Sequence, residues 1–283
     1  VFQDADDSNK VKARAASIAS DTFTWGTVVE VDSTGTTTAS CKIEALDSTH
    51  AVIVWRQQSF GVANARALSV SGTTITLGST VDFGTGGGLQ VKKLDPTHFI
   101  TTHNKKVVIG LVTGITVTFG TEVTFETSGN PVTDRSLAVT DSTHAQIAYT
   151  LSGVGQIRGI ETDGDTTINT ISSATSLSLT ITPLLLQSID SGNALYIYTL
   201  TSDTKSYALP YTVSGTTVTI DTSDAVLFES SASTLSSQEQ FDIDQFGTTA
   251  FFMIGFRDSG DIKGKLIIGS LSASAFSPWI ILY

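Results

Sequence analysis

One phrase recurs five times along this chain, and no other feature limits its possible folds so tightly. LDSTHAVIVW at 46–55 returns as LDPTHFITTH at 94–103, TDSTHAQIAY at 140–149 and IDSGNALYIY at 189–198, with a looser copy, IDQFGTTAFF, at 243–252. Anchored on Asp47, Asp95, Asp141, Asp190 and Asp244, the copies stand 48, 46, 49 and 54 residues apart. That period holds four short strands with their turns, and a unit of this size buries its apolar face only against its neighbours.

Every copy carries the same local grammar. In CKIEAL at 41–46, Cys41, Ile43 and Ala45 share one face of a strand while Lys42 and Glu44 share the other. Cys41 is the single cysteine, so no internal disulfide framework exists, and it reads as a small apolar residue buried in that strand. The Asp then opens a tight turn, since an Asx side chain accepts a backbone N–H and a following Pro, as in Asp95-Pro96, presets φ. The next strand (AVIVW, AQIAY, ALYIY) is apolar almost throughout, as a strand covered on both faces would be, and it ends in an aromatic column of Trp55, His103, Tyr149 and Tyr198. Two further strands share a second phrase: SVSGTTITLGSTVDF at 69–83, LVTGITVTFGTEVTF at 111–125 and TVSGTTVTIDTSDAVLF at 212–228. Its Ser-Gly and Thr-Gly pairs mark hairpin turns.

Residues 1–31 match the second half of a repeat, with Phe2 standing where Trp55 ends strand two. The reading predicts an all-β fold, a β-propeller of four-stranded antiparallel blades forming a single domain over 1–283. Six blades are the first choice and seven the alternative, with the first blade incomplete and native residues expected upstream of Val1. The blades fall at about 1–35, 39–83, 88–126, 133–182, 184–229 and 238–283. A pair of β-sandwiches would not repeat one phrase at near-even spacing, and solenoid coils have shorter periods.

Composition agrees with sheets. Charged residues make up only 15% of the chain, and Ser, Thr and Gly fill the polar positions where helix formers would otherwise stand. The longest apolar runs, AFFMIG at 250–255 and Leu184–Leu186, fall far short of the ~20 residues that cross a bilayer, so no membrane span is expected. With 16 basic against 27 acidic residues, a net charge of -11 and no basic cluster longer than Lys105-Lys106, nucleic acid is not expected as a partner.

His50, His98 and His144 occupy one turn position in successive repeats, which suggests a metal site at first sight. Equivalent positions in neighbouring blades lie too far apart to share one ion, so each is read as bonding its own hairpin. The chain has no GxSxG elbow, HExxH, phosphate-cradling loop or GxGxxG, and no cofactor, metal or catalytic residue is predicted. GTGGGLQ at 84–90 reads as a flexible connection. The acidic loops, including Asp163 and Asp165, could offer some calcium oxygens but follow no known loop pattern and read as solvated turns. If the loops joining strands two and three gather on one face, the candidate ligand residues are Asp4, Asp6, Asp7, Phe60, His103, Asn104, Asp203, Asp258 and Asp261.

The run DSTHAVIVW, loop, ARALSVSGTTITLGSTVDF resembles a repeat of phage and bacterial surface proteins, in which propellers decorate virions, tail appendages or adhesins. The resemblance implies a non-enzymatic extracellular or virion-surface module, partnered by other structural proteins of that assembly and binding a glycan or surface protein. It carries over no functional residue, and the last two blades depart from it in the FGTT turn and the SSASTLSSQEQ linker. The alternative is a propeller hydrolase or lyase acting on polysaccharide through paired carboxylates. An intracellular scaffold of the WD40 kind is disfavoured because the GH and WD dipeptides are absent.

Overall fold

The computed structural model describes residues 1–4, 6–32, 38–57, 61–130, 132–229, 241–246, 251–257, 264–272 and 275–282. Strands dominate it, and among the described residues the one helical element is a single 3-10 turn, Thr222–Asp224. Among the described residues no helix is long and apolar enough to cross a membrane.

The second repeat shows the plan. Strands Thr38–Ala45, His50–Gln57 and Val62–Ser71 form an antiparallel meander, followed by Thr74–Leu77 and Val81–Thr85. Cys41 pairs with Trp55, His50 with Ser69 and Leu68 with Leu77. The fourth strand breaks after Leu77 and rejoins the same neighbour at Val81, opposite Ala65. The third repeat follows suit with Gln90–Lys93, His98–His103, Lys106–Thr113, Thr116–Phe119 and Val123–Thr124. In the first, Phe2–Asp4, Lys10–Ala13, Ala16–Ala19, Thr22–Trp25 and Val29–Glu30 supply strands two to four.

Contacts divide the chain into two compact units, 1–127 with 163–168, and 128–162 with 169–283. In the first unit, Val54, Ala65, Phe83, Phe99, Val108 and Val117 form a core that interleaves consecutive repeats. In the second, Ala148, Leu177, Tyr196, Leu209, Tyr211 and Val213 do the same. The apolar middle strand is covered on both faces as its pattern requires, with Val52, Ile53, Val54 and Trp55 all at 0–1% exposure. Trp55, His103, Tyr149 and Tyr198 are all buried. Cys41, in contrast, is only half-buried against the Trp55 cluster.

Two details of the repeat need correction. Strand Thr175–Ser188 runs without a break through the boundary expected near 183: its first part pairs with Val154–Thr162 and its second with Asn193–Leu200, the register shifting at Pro183/Leu185. Asp244 does not open a turn. It lies within strand Phe241–Phe246, opposite Met253, and that strand pairs with Phe251–Arg257, so the last repeat keeps the meander without the Asp.

Successive repeats meet at glycines. A methyl group added to Gly26 would fall on the carbonyl oxygen of Thr73, one on Gly78 on that of Ile115, and one on Gly120 on that of Thr166. Each glycine follows a fourth-strand phrase (TFTW, TITL, TVTF), and each receives the strand three-to-four turn of the next repeat backbone to backbone. In the second unit Gly159, on the neighbouring strand, receives the turn at Thr216 in the same way.

Candidate functional site

The chemistry-bearing side chains sort into those that hold the fold and those that do not. Asp47 belongs to the first group: its Oδ1 accepts from the Thr49 amide at 2.6 Å, the His50 amide at 2.7 Å and the Thr49 hydroxyl at 2.9 Å, while Oδ2 lies 2.9 Å from His50 Nδ1. Asp95 and Asp141 repeat this with Thr97-His98 and Thr143-His144, and Asp190 does so with Gly192-Asn193. The Thr49 amide is the main reason the Asp47 carboxyl is held far below the ordinary range, with burial opposing it. For Asp95, Asp141 and Asp190 burial is the largest single influence and raises the pKa, but the combined donors outweigh it and the net shift is downward. The three turn histidines therefore bond their own hairpins, and His98 also places Nε2 3.3 Å from Asp165.

A structural arginine went unnoticed in the sequence. Arg66 donates Nε to the Gly78 carbonyl at 2.6 Å and Nη1 to Val31 at 2.6 Å, bracing the break in strand four. Arg14 makes the equivalent bond to Gly26 at 2.8 Å, and Arg158 reaches the Ser172 carbonyl at 2.8 Å. The signal is in the sequence, since each Arg stands at the same place in its repeat.

Of the predicted ligand residues, Asp4 and Asp7 are committed to Lys12, each at 2.8 Å, and the Lys12 hydrogen bond lowers both carboxyls. Asp6 is exposed beside them, its amide bonded to Asp4 Oδ1 at 3.1 Å. His103 is 2% exposed and packs edge-on against Phe83, so in this structure it offers a ligand no surface. Asn104 is exposed in a left-handed turn, φ 50°. Asp203 accepts from the Tyr207 hydroxyl at 2.6 Å, the main cause of its lowered pKa. Phe60, Asp258 and Asp261 lie outside the described residues. No group of three or more His, Cys, Asp or Glu among the described residues could hold a metal ion.

The surface that stands out is elsewhere. On the hairpin Ala16–Ala19 and Thr22–Trp25, Ile18, Phe23 and Trp25 are 67%, 58% and 55% exposed. Phe23 and Trp25 lie near-parallel with centroids 6.0 Å apart, and the Arg14 guanidinium sits 5.2 Å from the Trp25 ring. Beside the indole opens a cleft of about 340 Å³, lined by Trp25, Thr27 and Val29 and by Thr73, Thr74 and Ile75 of the next repeat's turn. An apolar ring edge and several hydroxyls converge there, and among the described residues no carboxylate, imidazole or thiol lines the cleft. Such a wall can bind a hydroxylated ligand and supplies no group for general acid–base or nucleophilic catalysis. The sequence reading overlooked it because TFTWG looked like one more copy of TITLG and TVTFG.

No protein-family model matches the chain, and no curated protein matches it. Solved structures do. A protein from Lactobacillus plantarum is similar at 15% identity and a TM-score of 0.62, over 95% of this chain and 77% of that one. A mutant of Aleuria aurantia lectin in complex with Fucalpha1-6GlcNAc is similar at 11% identity and a TM-score of 0.51, over 99% and 90%. Another structure of that lectin, described as a six-bladed β-propeller with a novel fucose recognition mode, aligns at 13% identity and a TM-score of 0.49, over 99% and 89%. The repeating meander and the first two likenesses define the class of fold: the chain is an all-β protein, a β-propeller of four-stranded antiparallel blades.

Proposed function

We propose that this chain is a non-enzymatic carbohydrate-binding module whose first-repeat cleft, walled by Trp25 and the Thr73-Thr74 turn, takes a neutral sugar unit. The observation that carries the reading is an indole left 55% exposed beside a hydroxyl-lined cleft. Apolar sugar faces pack against such rings while their hydroxyls find donors and acceptors at the rim. Similarity to a lectin solved in complex with Fucalpha1-6GlcNAc supports the class of ligand, although fold alone never assigns a site. The setting we infer, a virion or cell surface, rests on the resemblance of the repeat to those of surface-displayed propellers.

The test is a glycan array followed by titration of the best neutral glycan. Trp25→Ala should weaken binding about tenfold or more, the loss expected of a central aromatic anchor. Undiminished binding by that variant, or steady release of reducing ends from a bound polysaccharide, would end the proposal.

A second reading has its own observation. In the third repeat the positions matching Ile18 and Phe23 are Val112 and Val117, packed at 5% and 3% exposure. A sheet of another protein could therefore cover the first-repeat face. Light scattering over a hundredfold concentration range would favour that reading if Trp25→Ala abolished an association and left glycan binding untouched.

A further inference from the structure

The glycine-rich stretch at 84–88 is not a slack connection. Gly84, Gly86 and Gly88 take φ of 154°, 105° and 74°, and a methyl added to Gly84 would fall on the His103 ring. The segment is also pinned: the Gly86 amide donates to the Gly61 carbonyl at 2.7 Å, the Asn104 amide to Gly87 at 2.7 Å, and the Thr102 hydroxyl to Gly88 at 2.8 Å. Against this loop lies Arg56. A methyl at Gly87 would stand 3.3 Å from Nη1 and one at Gly61 3.9 Å from Nη2, so the guanidinium lies on bare backbone that any larger residue would crowd.

Arg56 makes no ion pair and no hydrogen bond among the described residues, and its Nε is buried without a partner. A half-buried cation left unpaired is costly, and in a chain with 27 acidic residues a carboxylate partner would have been easy to place. The position after the strand-two aromatic is Arg56 here and, by register, Arg257 after Phe256 in the last repeat, against Asn104, Thr150 and Thr199 in the three repeats between.

We propose that Arg56, seated on the Gly86–Gly88 backbone, is a binding site for a single oxyanion, a carboxylate or sulfate group of the ligand. The planar guanidinium suits two-point recognition of such a group. A net charge of -11 selects an isolated anionic group over an extended polyanion. The site is independent of the Trp25 cleft.

The experiment follows the Arg56 Nε–H resonance of the full chain by NMR while inorganic sulfate, glucuronate or glucose is added at constant ionic strength. Sulfate, glucuronate or both should shift it saturably, and glucose should not. Which anion acts identifies the group: glucuronate alone assigns a carboxylate, sulfate alone a sulfate. Calorimetric titration of Arg56→Lys, which keeps the charge and loses the fork, should show about tenfold weaker binding of the effective anion. Trp25→Ala should bind the anion normally, which separates failure here from failure of the glycan cleft. No saturable shift with either anion, or unchanged affinity in Arg56→Gln, overturns the proposal.

Discussion

The first and third repeats place the same hairpin in opposite surroundings. By register, Ile18, Phe23 and Trp25 correspond to Val112, Val117 and Phe119, yet the first set is exposed and the second packs in the core shared with the second repeat. A shared backbone pattern thus fixes which way a side chain points and leaves open what it meets. The sharpest way to break the comparison is to cut the two environments with one chemical change. Trp55, at 1% exposure, should cost about 4 kcal/mol when replaced by Ala, the range for large buried aromatics. Trp25→Ala, at 55% exposure, should stay within about 0.5 kcal/mol. Urea denaturation measures both, and a large loss at Trp25 would show that its face is covered in solution.

A smaller effect separates the two kinds of glycine. Gly78 lies against the Ile115 carbonyl, and Ala there must push two backbones apart, an overpacking cost of about 2 kcal/mol. Gly114, at the tip of the facing turn, has φ +61° with no atom near its missing methyl. Ala at 114 should cost about 1 kcal/mol, from the left-handed conformation alone. If the two variants melted together, turn-to-glycine contact would not be what spaces the repeats.

These contrasts explain what the sequence could disclose. Whatever recurs was legible: the Asp turns, the buried middle strand and the aromatic column are each repeated, and repetition marks residues that answer to the fold. Asp244 misled because a single shared letter outweighed the pairing of Phe246 with Phe251, which sets where the turn must be. The boundary near 183 misled because nothing local distinguishes two strands from one long strand that changes partners. Trp25 was hidden inside a conforming phrase, since TFTWG keeps the alternation and differs only in what covers it. Arg56 carries no local signal, because its meaning depends on a loop 30 residues onward that the sequence presents as mere glycine. The acidic loops drew attention by composition, but Asp4 and Asp7 are both tied to Lys12 across one hairpin.

The smallest expected effect is on pH dependence, and it compares the Asp turns with the last repeat, which lacks one. The turn carboxyls are depressed in the folded chain, so each contributes fully above its unfolded pKa near 3.9 and loses that contribution as pH falls through the lower folded value. Between those values the unfolded chain binds more protons, and stability must decline as acid is added. The melting temperature should therefore be level from neutrality down to about pH 5 and fall below pH 4. Asp95→Asn keeps an oxygen to accept from Thr97 and His98 but removes the titration. Its curve should start slightly lower at pH 7 and descend less steeply, with proton uptake on unfolding near pH 3 reduced by at most about one. Parallel wild-type and variant curves would mean that Asp95 holds its turn as a shape and not as a charge. The Thr97 and His98 amides would then bind a neutral oxygen as well as an anion, with the His98 imidazole still held by Thr97 and Asp165.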